Sequence, residues 1–327
     1  MTLVSTLVLR EFAPADYGRY VAIANACYPE YGWTEAEVRH QDETWDHARF
    51  FRTRVVAEAG GELVGALDVN HSSGSFVPDT YWMEITVFPE HRRRGVGSAL
   101  YQRLAEIVRS RNGRVLRIGV KESMAEGVQF VTKRGFTETK RDWESRLDVA
   151  SFDEAPFSGA FERIATEEIT VTTLAAELAK DPESALRDAF ELHEDCRADV
   201  PSTDPVTRHD FDHFKKEIEG PTALPEAYYI AIDRDGRYVG ESNLWASLED
   251  PTFIWQGLTG VRRDARGKGV AMALKLHTVR YAREQGKREI KTWNDVRNRP
   301  MLRINEAMGF VKQPVWIAFE KDLRQGT

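Results

Sequence analysis

The sequence predicts an α/β chain built from two copies of one mixed-sheet unit, and three repeated features carry that prediction. Val87-Phe-Pro-Glu-His-Arg-Arg-Arg-Gly-Val-Gly-Ser-Ala-Leu100 returns as Val261-Arg-Arg-Asp-Ala-Arg-Gly-Lys-Gly-Val-Ala-Met-Ala-Leu274, with Gly95 and Gly269 174 positions apart. A hairpin pattern, Val55 to Gly65, returns as Tyr229 to Gly240. Both copies then continue through a helix, a β-rich run and a short helix closing on Gly-Phe. A chain of 327 residues suits two domains of about 160 residues. The predicted division is residues 1–150, a linker at 151–166 and residues 167–327.

Taken in order, each copy opens with an acidic helical stretch, Asp16 to Phe50 and Asp181 to Gly220. The hairpins follow, apolar strands joined by Gly60-Gly61 or Asp235-Gly236, dipeptides that reach the φ > 0 such turns need. Next comes Arg-x-x-Gly-x-Gly/Ala between a strand end and a helix. A glycine turn that opens a helix aims several backbone N–H groups at one point and adds the positive end of the helix dipole. That arrangement cradles a pyrophosphate. Leu100, Leu104, Ile107 and Val108 then follow the stripe of a helix packed on a sheet; Leu274, Tyr281 and Ala282 repeat it, and Gly286 is a natural stop. The β-rich runs are Arg114 to Val120 and Arg288 to Trp293, and the short helices end at Gly135-Phe136 and Gly309-Phe310. Each half ends in an amphipathic strand, near Trp143 to Val149 and near Trp316 to Leu323. Pro156, Gly159 and small residues break both periodicities in the linker.

Composition narrows the function classes. Hydrophobic residues at 42% and charged residues at 30% describe a globular protein. The first ten residues lack the basic region and apolar length of a signal peptide, and no run approaches a transmembrane span, so neither secretion nor a membrane partner is expected. Cys27 and Cys196 form no disulfide framework or metal pair, which fits a reducing cytoplasm. A net charge of −7 argues against nucleic acid, and the run Arg92 to Arg94 reads as a local anion site. His209 and His213 stand four apart, yet no glutamate follows the first and no third ligand presents itself; no metal is expected.

This element order resembles the GNAT-type N-acetyltransferase superfamily, twice over. The second half looks most like tandem members, through Thr259-Gly-Val261, Arg266-Gly-Lys-Gly-Val-Ala271, Thr292-Trp-Asn294, Asn298, Asn305 and Gly309-Phe310. The resemblance implies, in each half, a mixed and mostly antiparallel sheet flanked by helices. Its two central parallel strands splay apart to hold acetyl-CoA, the co-substrate. Loop contacts to the diphosphate would come from Arg92, Arg93, Arg94, Gly95, Val96, Gly97 and Ser98 in the first half. In the second they would come from Arg266, Gly267, Lys268, Gly269, Val270 and Ala271. Strand contacts fall near Val87 and Val261, whose backbone N–H would face the developing oxyanion. Asn294 would bridge the parted strands or hold the pantetheine arm, and Asn298 and Asn305 would extend those polar contacts along the following helix. The first half has Val120, Met124 and Val131 at those positions, so the second half is expected to be the better-equipped site.

The implied reaction is direct acetyl transfer to a primary amine of a small acceptor. The tyrosine that many family members place four residues before the last glycine is replaced by Val131 and Asn305. Carboxylates on the strands nominate Glu241 in the second half and Glu84 in the first as base. The stretch Glu191 to Gly220 holds nine acidic and four basic residues, and Cys27 to Phe50 holds six and two. Acidic walls attract a cationic amine, and Tyr28, Tyr31 and Trp33 are candidates to line the first acceptor pocket. Two alternatives stand beside catalysis in the second half: catalysis in the first, or a CoA-binding sensor without turnover. The expected assembly is a monomer or homodimer.

Overall fold

A computed structural model of the chain describes residues 7–324; Met1–Thr6, the start of the stretch read for a signal peptide, lie outside the described residues. In chain order the regular elements begin with β1 (Leu7–Glu11), α1 (Tyr17–Cys27), α2 (Glu35–Thr44), β2 (Arg52–Ala59), β3 (Glu62–Asn70), β4 (Thr80–Val87), α3 (Val96–Ser110), β5 (Val115–Lys121), α4 (Ala125–Thr132) and β6 (Thr137–Asp148). They continue with α5 (Ala160–Thr166), β7 (Thr170–Thr173), α6 (Leu174–Leu178), α7 (Pro182–Arg197), α8 (Phe211–Ile218), β8 (Ala223–Ile232), β9 (Tyr238–Ala246), β10 (Phe253–Val261), α9 (Val270–Glu284), β11 (Glu289–Asp295), α10 (Arg299–Ala307), β12 (Val311–Lys312) and β13 (Trp316–Asp322).

These elements form two units whose boundaries do not follow the two halves of the sequence. The first comprises the chain up to Arg141 together with the segment from Trp316 on; the second is Asp142–Val315. In the first, β1, β2, β3 and β4 pair antiparallel in succession, β4 runs parallel to β5, and β13 lies antiparallel against β5 from Trp316–Lys121 to Asp322–Val115. In the second, β7, β8, β9 and β10 are antiparallel, β10 runs parallel to β11, and β6 pairs with β11 from Asp142–Asp295 to Asp148–Glu289. The last strand of each repeat has thus changed places. β13, read from sequence as closing the second half, completes the first unit; most of β6 completes the second. The region read as a linker is also structured, carrying a turn of 3-10 helix at Ala155–Phe157 and then α5.

Packing follows the predicted stripes. Val96, Leu100, Leu104 and Val108 bury one face of α3 on the first sheet, while Ile23 of α1 covers Val56, Leu63, Ala66 and Phe88 on its other face. In the second unit α9 packs Leu276, Val279 and Ala282 against Leu244, Ile254 and Ile290. Phe190, Leu192 and Cys196 of α7 pack with Phe214 of α8 over Tyr228 and Ile230 of β8. Local chemistry sets the helix starts: Thr34 and Glu37 form a capping box on α2, and Asp181 before Pro182 caps α7, satisfying N–H groups with no partner inside the helix.

The central parallel strands part in both units. The β4–β5 ladder runs only from Thr80–Val115 to Trp82–Arg117, and the β10–β11 ladder only from Phe253–Glu289 to Trp255–Lys291. Beyond those pairs, one edge of β4 and β10 is left without a neighbouring strand. In the second unit the β9–β10 register also shifts between Gln256 and Thr259. Gly257 lies in that bulge, where a Cβ would stand 2.0 Å from Asn243 Oδ1, so no larger residue fits.

Candidate active site

The glycine loops are built from left-handed backbone. Arg93 and Gly95 have φ of 60° and 89°, and Gly267 and Gly269 have 78° and 90°. Gly95 and Gly269 are the N-caps of α3 and α9. Alternating left- and right-handed residues turn successive amides to one side, the concave nest that binds anions. Holding Arg93 there costs about 1–2 kcal/mol relative to glycine. A Cβ at Gly95 would meet nothing within 4 Å, so space above the loop is open to a phosphate. Val96 and Val270 are buried and anchor the helix starts.

The loop arginines divide by task. Arg92 Nε donates to the Val87 carbonyl at 3.2 Å and Arg266 Nε to the Val261 carbonyl at 2.9 Å; each ties strand end to loop. Arg266 also pairs with Asp199, and Lys268 pairs with Glu167 at 3.3 Å. Arg93 and Arg94 are exposed. Ser98 Oγ accepts a hydrogen bond from Arg134 at 2.9 Å. In the second unit an arginine outside the motif joins the loop: Arg163 of α5 donates to the Gly267 carbonyl at 2.5 Å, and its Cδ lies 3.0 Å from where a Gly269 Cβ would stand.

In the first unit a cleft of about 750 Å³ runs from this loop between the parted strands, lined by Ile85 and Val87 on one side, Ile118 to Val120 on the other, and Cys27 and Tyr28 of the α1 end. Glu84 adjoins it through Tyr28, whose hydroxyl hydrogen bonds to the Glu84 carboxylate. Glu84 is exposed to water, although protein atoms partly enclose its carboxylate. That enclosure, then the nearby Asp68 charge, pushes its pKa up to about 7, with the Tyr28 hydrogen bond opposing. Asp68 faces Glu84 across the β3–β4 ladder. It is clamped by Arg54 Nε at 2.7 Å and by Arg52 at 3.0 Å. Burial alone would raise its pKa, yet the two guanidiniums bring it below the usual carboxylate range. One carboxylate is therefore held ionised, and its neighbour keeps a proton until near neutrality.

Aromatic side chains gather around Tyr28 at the border of that cleft. Trp316, the first residue of β13, lies 5.9 Å from Tyr28 and 5.7 Å from Tyr31, centroid to centroid. Lys121 Nζ donates to Glu30 at 2.6 Å and to the Tyr31 hydroxyl at 2.7 Å. Tyr28 and Tyr31 come together as the sequence suggests, whereas Trp33 is exposed and pairs with Asn25. Trp316 carried no signal in the sequence, because its strand reads as part of the other half.

The second unit differs. Asn305 Nδ2 donates to Asn294 Oδ1 at 2.7 Å, bridging α10 to the splayed end of β11, and its own buried Oδ1 has no partner. Asn298 caps α10 through the Met301 amide. Leu258, in the position corresponding to Glu84, brings no titratable group. Glu241 is fully buried, with Tyr228, Asn243 and His193 bonded to its Oε2 and no partner at Oε1. The neighbouring histidines are bound separately, His209 to Glu194 and His213 to Glu217.

Parted parallel strands beside a left-handed glycine loop at a helix start are the frame of an acetyltransferase fold, present here in two copies. The sequence profile of the acetyltransferase (GNAT) family matches residues 19–136 and again 186–310; the chain belongs to that family. It is 25% identical to a mycothiol acetyltransferase of Thermomonospora curvata over 72% of each chain. It is 22% identical to that of Catenulispora acidiphila, over 88% of this chain and 84% of the relative. Among solved structures, a tandem GNAT protein from the clavulanic acid biosynthesis pathway superposes with TM-score 0.75 at 19% identity, covering 97% of this chain and 98% of that one. A GCN5-related N-acetyltransferase from Sphaerobacter thermophilus gives 0.67 at 21% identity, covering 97% and 95%.

Proposed function

We propose that the protein is an acetyl-CoA-dependent N-acetyltransferase for a primary amine of a small acceptor, with its principal catalytic cleft in the first unit. The observation that carries this is the Glu84–Asp68 pair beside the parted strands: a carboxylate poised to change protonation near neutrality, at the wall where an acceptor must sit. The reading moves the main site from the second unit, where the asparagines had suggested it, to the first.

The residues fit the co-substrate. The open nest at Gly95 suits a diphosphate, and the unpaired edge of β4 from Met83 to Val87 suits an amide-bearing arm. Acetyl-CoA supplies an activated thioester carbonyl; the protein's own groups do the rest. Glu84, once ionised, accepts a proton from the ammonium form of the acceptor, and Tyr28 holds its carboxylate in place. Asp68 stays charged and keeps Glu84 basic enough to serve near pH 7. Tyr28 and Trp316 supply π-faces suited to an alkylammonium group, while Glu30 and Tyr31 are engaged by Lys121. The name shared by the relatives, mycothiol acetyltransferase, favours a small-molecule acceptor as well.

The test is release of free CoA across a panel of small amines. Turnover that Glu84→Gln lowers by about 100-fold supports the assignment; acetyl-CoA binding without turnover on any amine makes the chain a sensor instead.

A further inference from the structure

We infer that the second unit is a catalytic centre in its own right, with His193 as the base and Glu241 as the residue that positions it. The inference rests on the acetyltransferase reading of the fold but not on the first unit being the principal site.

His193 lies on α7 one turn before Cys196, and Cys196 packs on Gly260 of β10, its Sγ 2.8 Å from where a Gly260 Cβ would stand. Gly260 is the ladder partner of Glu241, and Leu258 joins the same apolar cluster as Cys196. The histidine itself meets Glu241 of β9, whose ladder partner Gly260 lies on the stretch of β10 beyond the last rung shared with β11. There the first unit offers Glu84 from the strand and the second offers Leu258; the histidine of α7 supplies the missing titratable group. Its side chain retains 15% exposure, while Glu241 behind it has none.

The support is built to orient the ring. Nδ1 lies 3.2 Å from Glu241 Oε2, which also receives the Tyr228 hydroxyl and Asn243 Nδ2 at 3.3 Å. A buried carboxylate facing Nδ1 favours the tautomer with its proton on that nitrogen, leaving the Nε2 lone pair for a substrate proton. The groups facing His193 are Glu241 and Tyr228 from the sheet, Glu194 from α7, and Glu217 from α8; Phe214 of α8 lies 5.5 Å from the ring. Burial opposes the imidazolium, but Glu241 first and Glu217 and Glu194 after it outweigh burial and raise the histidine pKa. Those carboxylates also favour a cationic amine as the acceptor. In the transfer the acceptor nitrogen bonds to the acetyl carbon as the C–S bond breaks with its electron pair leaving on sulfur. Nε2 takes the proton the amine gives up and can return it to the sulfur.

The experiment starts from the Glu84→Gln chain, whose remaining turnover is assigned to the second unit. Adding His193→Ala is expected to lower that kcat at least tenfold with little change in acceptor KM, and adding Gly269→Glu to remove it. Adding Glu241→Gln should keep part of the activity while moving the acid limb of its pH profile downward. Without any co-substrate, an NMR titration of His193 should show the same downward move between the parent chain and Glu241→Gln. Wild-type turnover with a wholly inactive Glu84→Gln chain overturns this inference alone. So does residual activity indifferent to His193→Ala, or a His193 titration unchanged by Glu241→Gln. No turnover by the wild type on any amine removes both this inference and the proposed function.

Discussion

At the scale of single residues, the charge states follow from which partners the fold supplies. Glu84 and Asp68 are chemically alike and cross-strand neighbours, yet only Asp68 has two guanidiniums on it. A carboxyl whose folded pKa stands at about 7, above its unfolded value, binds more protons folded than unfolded between those values. Stability therefore falls as pH rises across that window. Glu84→Gln is expected to be the more stable protein at pH 8, with the gap closing by pH 4, as thermal melts at the two pH values will show. In activity the sign is opposite: kcat/KM for the amine should climb through pH 7 in the wild type, and Glu84→Gln should flatten that limb. Lys275 is a second such residue. It is 1% exposed on α9, its Nζ donates to Gln256 Oε1 at 3.4 Å, and burial pushes its pKa down to about 7. A lysine lowered on folding costs stability most below pH 7, and the cost fades as pH approaches its unfolded value near 10.5. Lys275→Met should raise Tm by several degrees at pH 7 and by much less at pH 10. Glu84 could be nominated from its strand, but its pairing with Asp68 depends on hairpin register. Which face Glu241 takes was likewise invisible without the sheet.

At the scale of elements, the legible parts were those fixed locally. The glycine loops announce themselves because left-handed φ and a helix start both need particular residues at particular spacings, and the α3 stripe because four apolar positions recur on one face. Asn294 and Asn305 could be singled out, but the bond between them requires knowing that α10 folds back over β11. Arg163 could not be found at all, since α5 lies in a segment whose composition reads as a connection. The loops give a direct prediction. Calorimetric titration with acetyl-CoA should lose the first-unit site in Gly95→Glu and the second-unit site in Gly269→Glu. Each substitution places a bulky anion on left-handed backbone where a phosphate must approach, and binding unchanged in both variants would exclude the loops as the cradle.

At the scale of the whole molecule, the repeat was readable but the ownership of its last strand was not. β6 and β13 share an amphipathic pattern, and each pairs along seven residues with a central strand; periodicity cannot choose between them. The structure gives β13 to the first unit, where it pairs with β5 along seven residues and brings Trp316 against Tyr28. A chain ending at Val315 should lose the melting transition of the first unit and keep that of the second, as scanning calorimetry can resolve. Two undisturbed transitions would show that β13 is dispensable. During synthesis, at about 5–20 residues per second, residues 142–315 have all emerged before the closing strand of the earlier-made unit has left the ribosome. The portion translated first is then finished last, and a stalled or clipped nascent chain carries a bare β5 edge that any passing strand could claim.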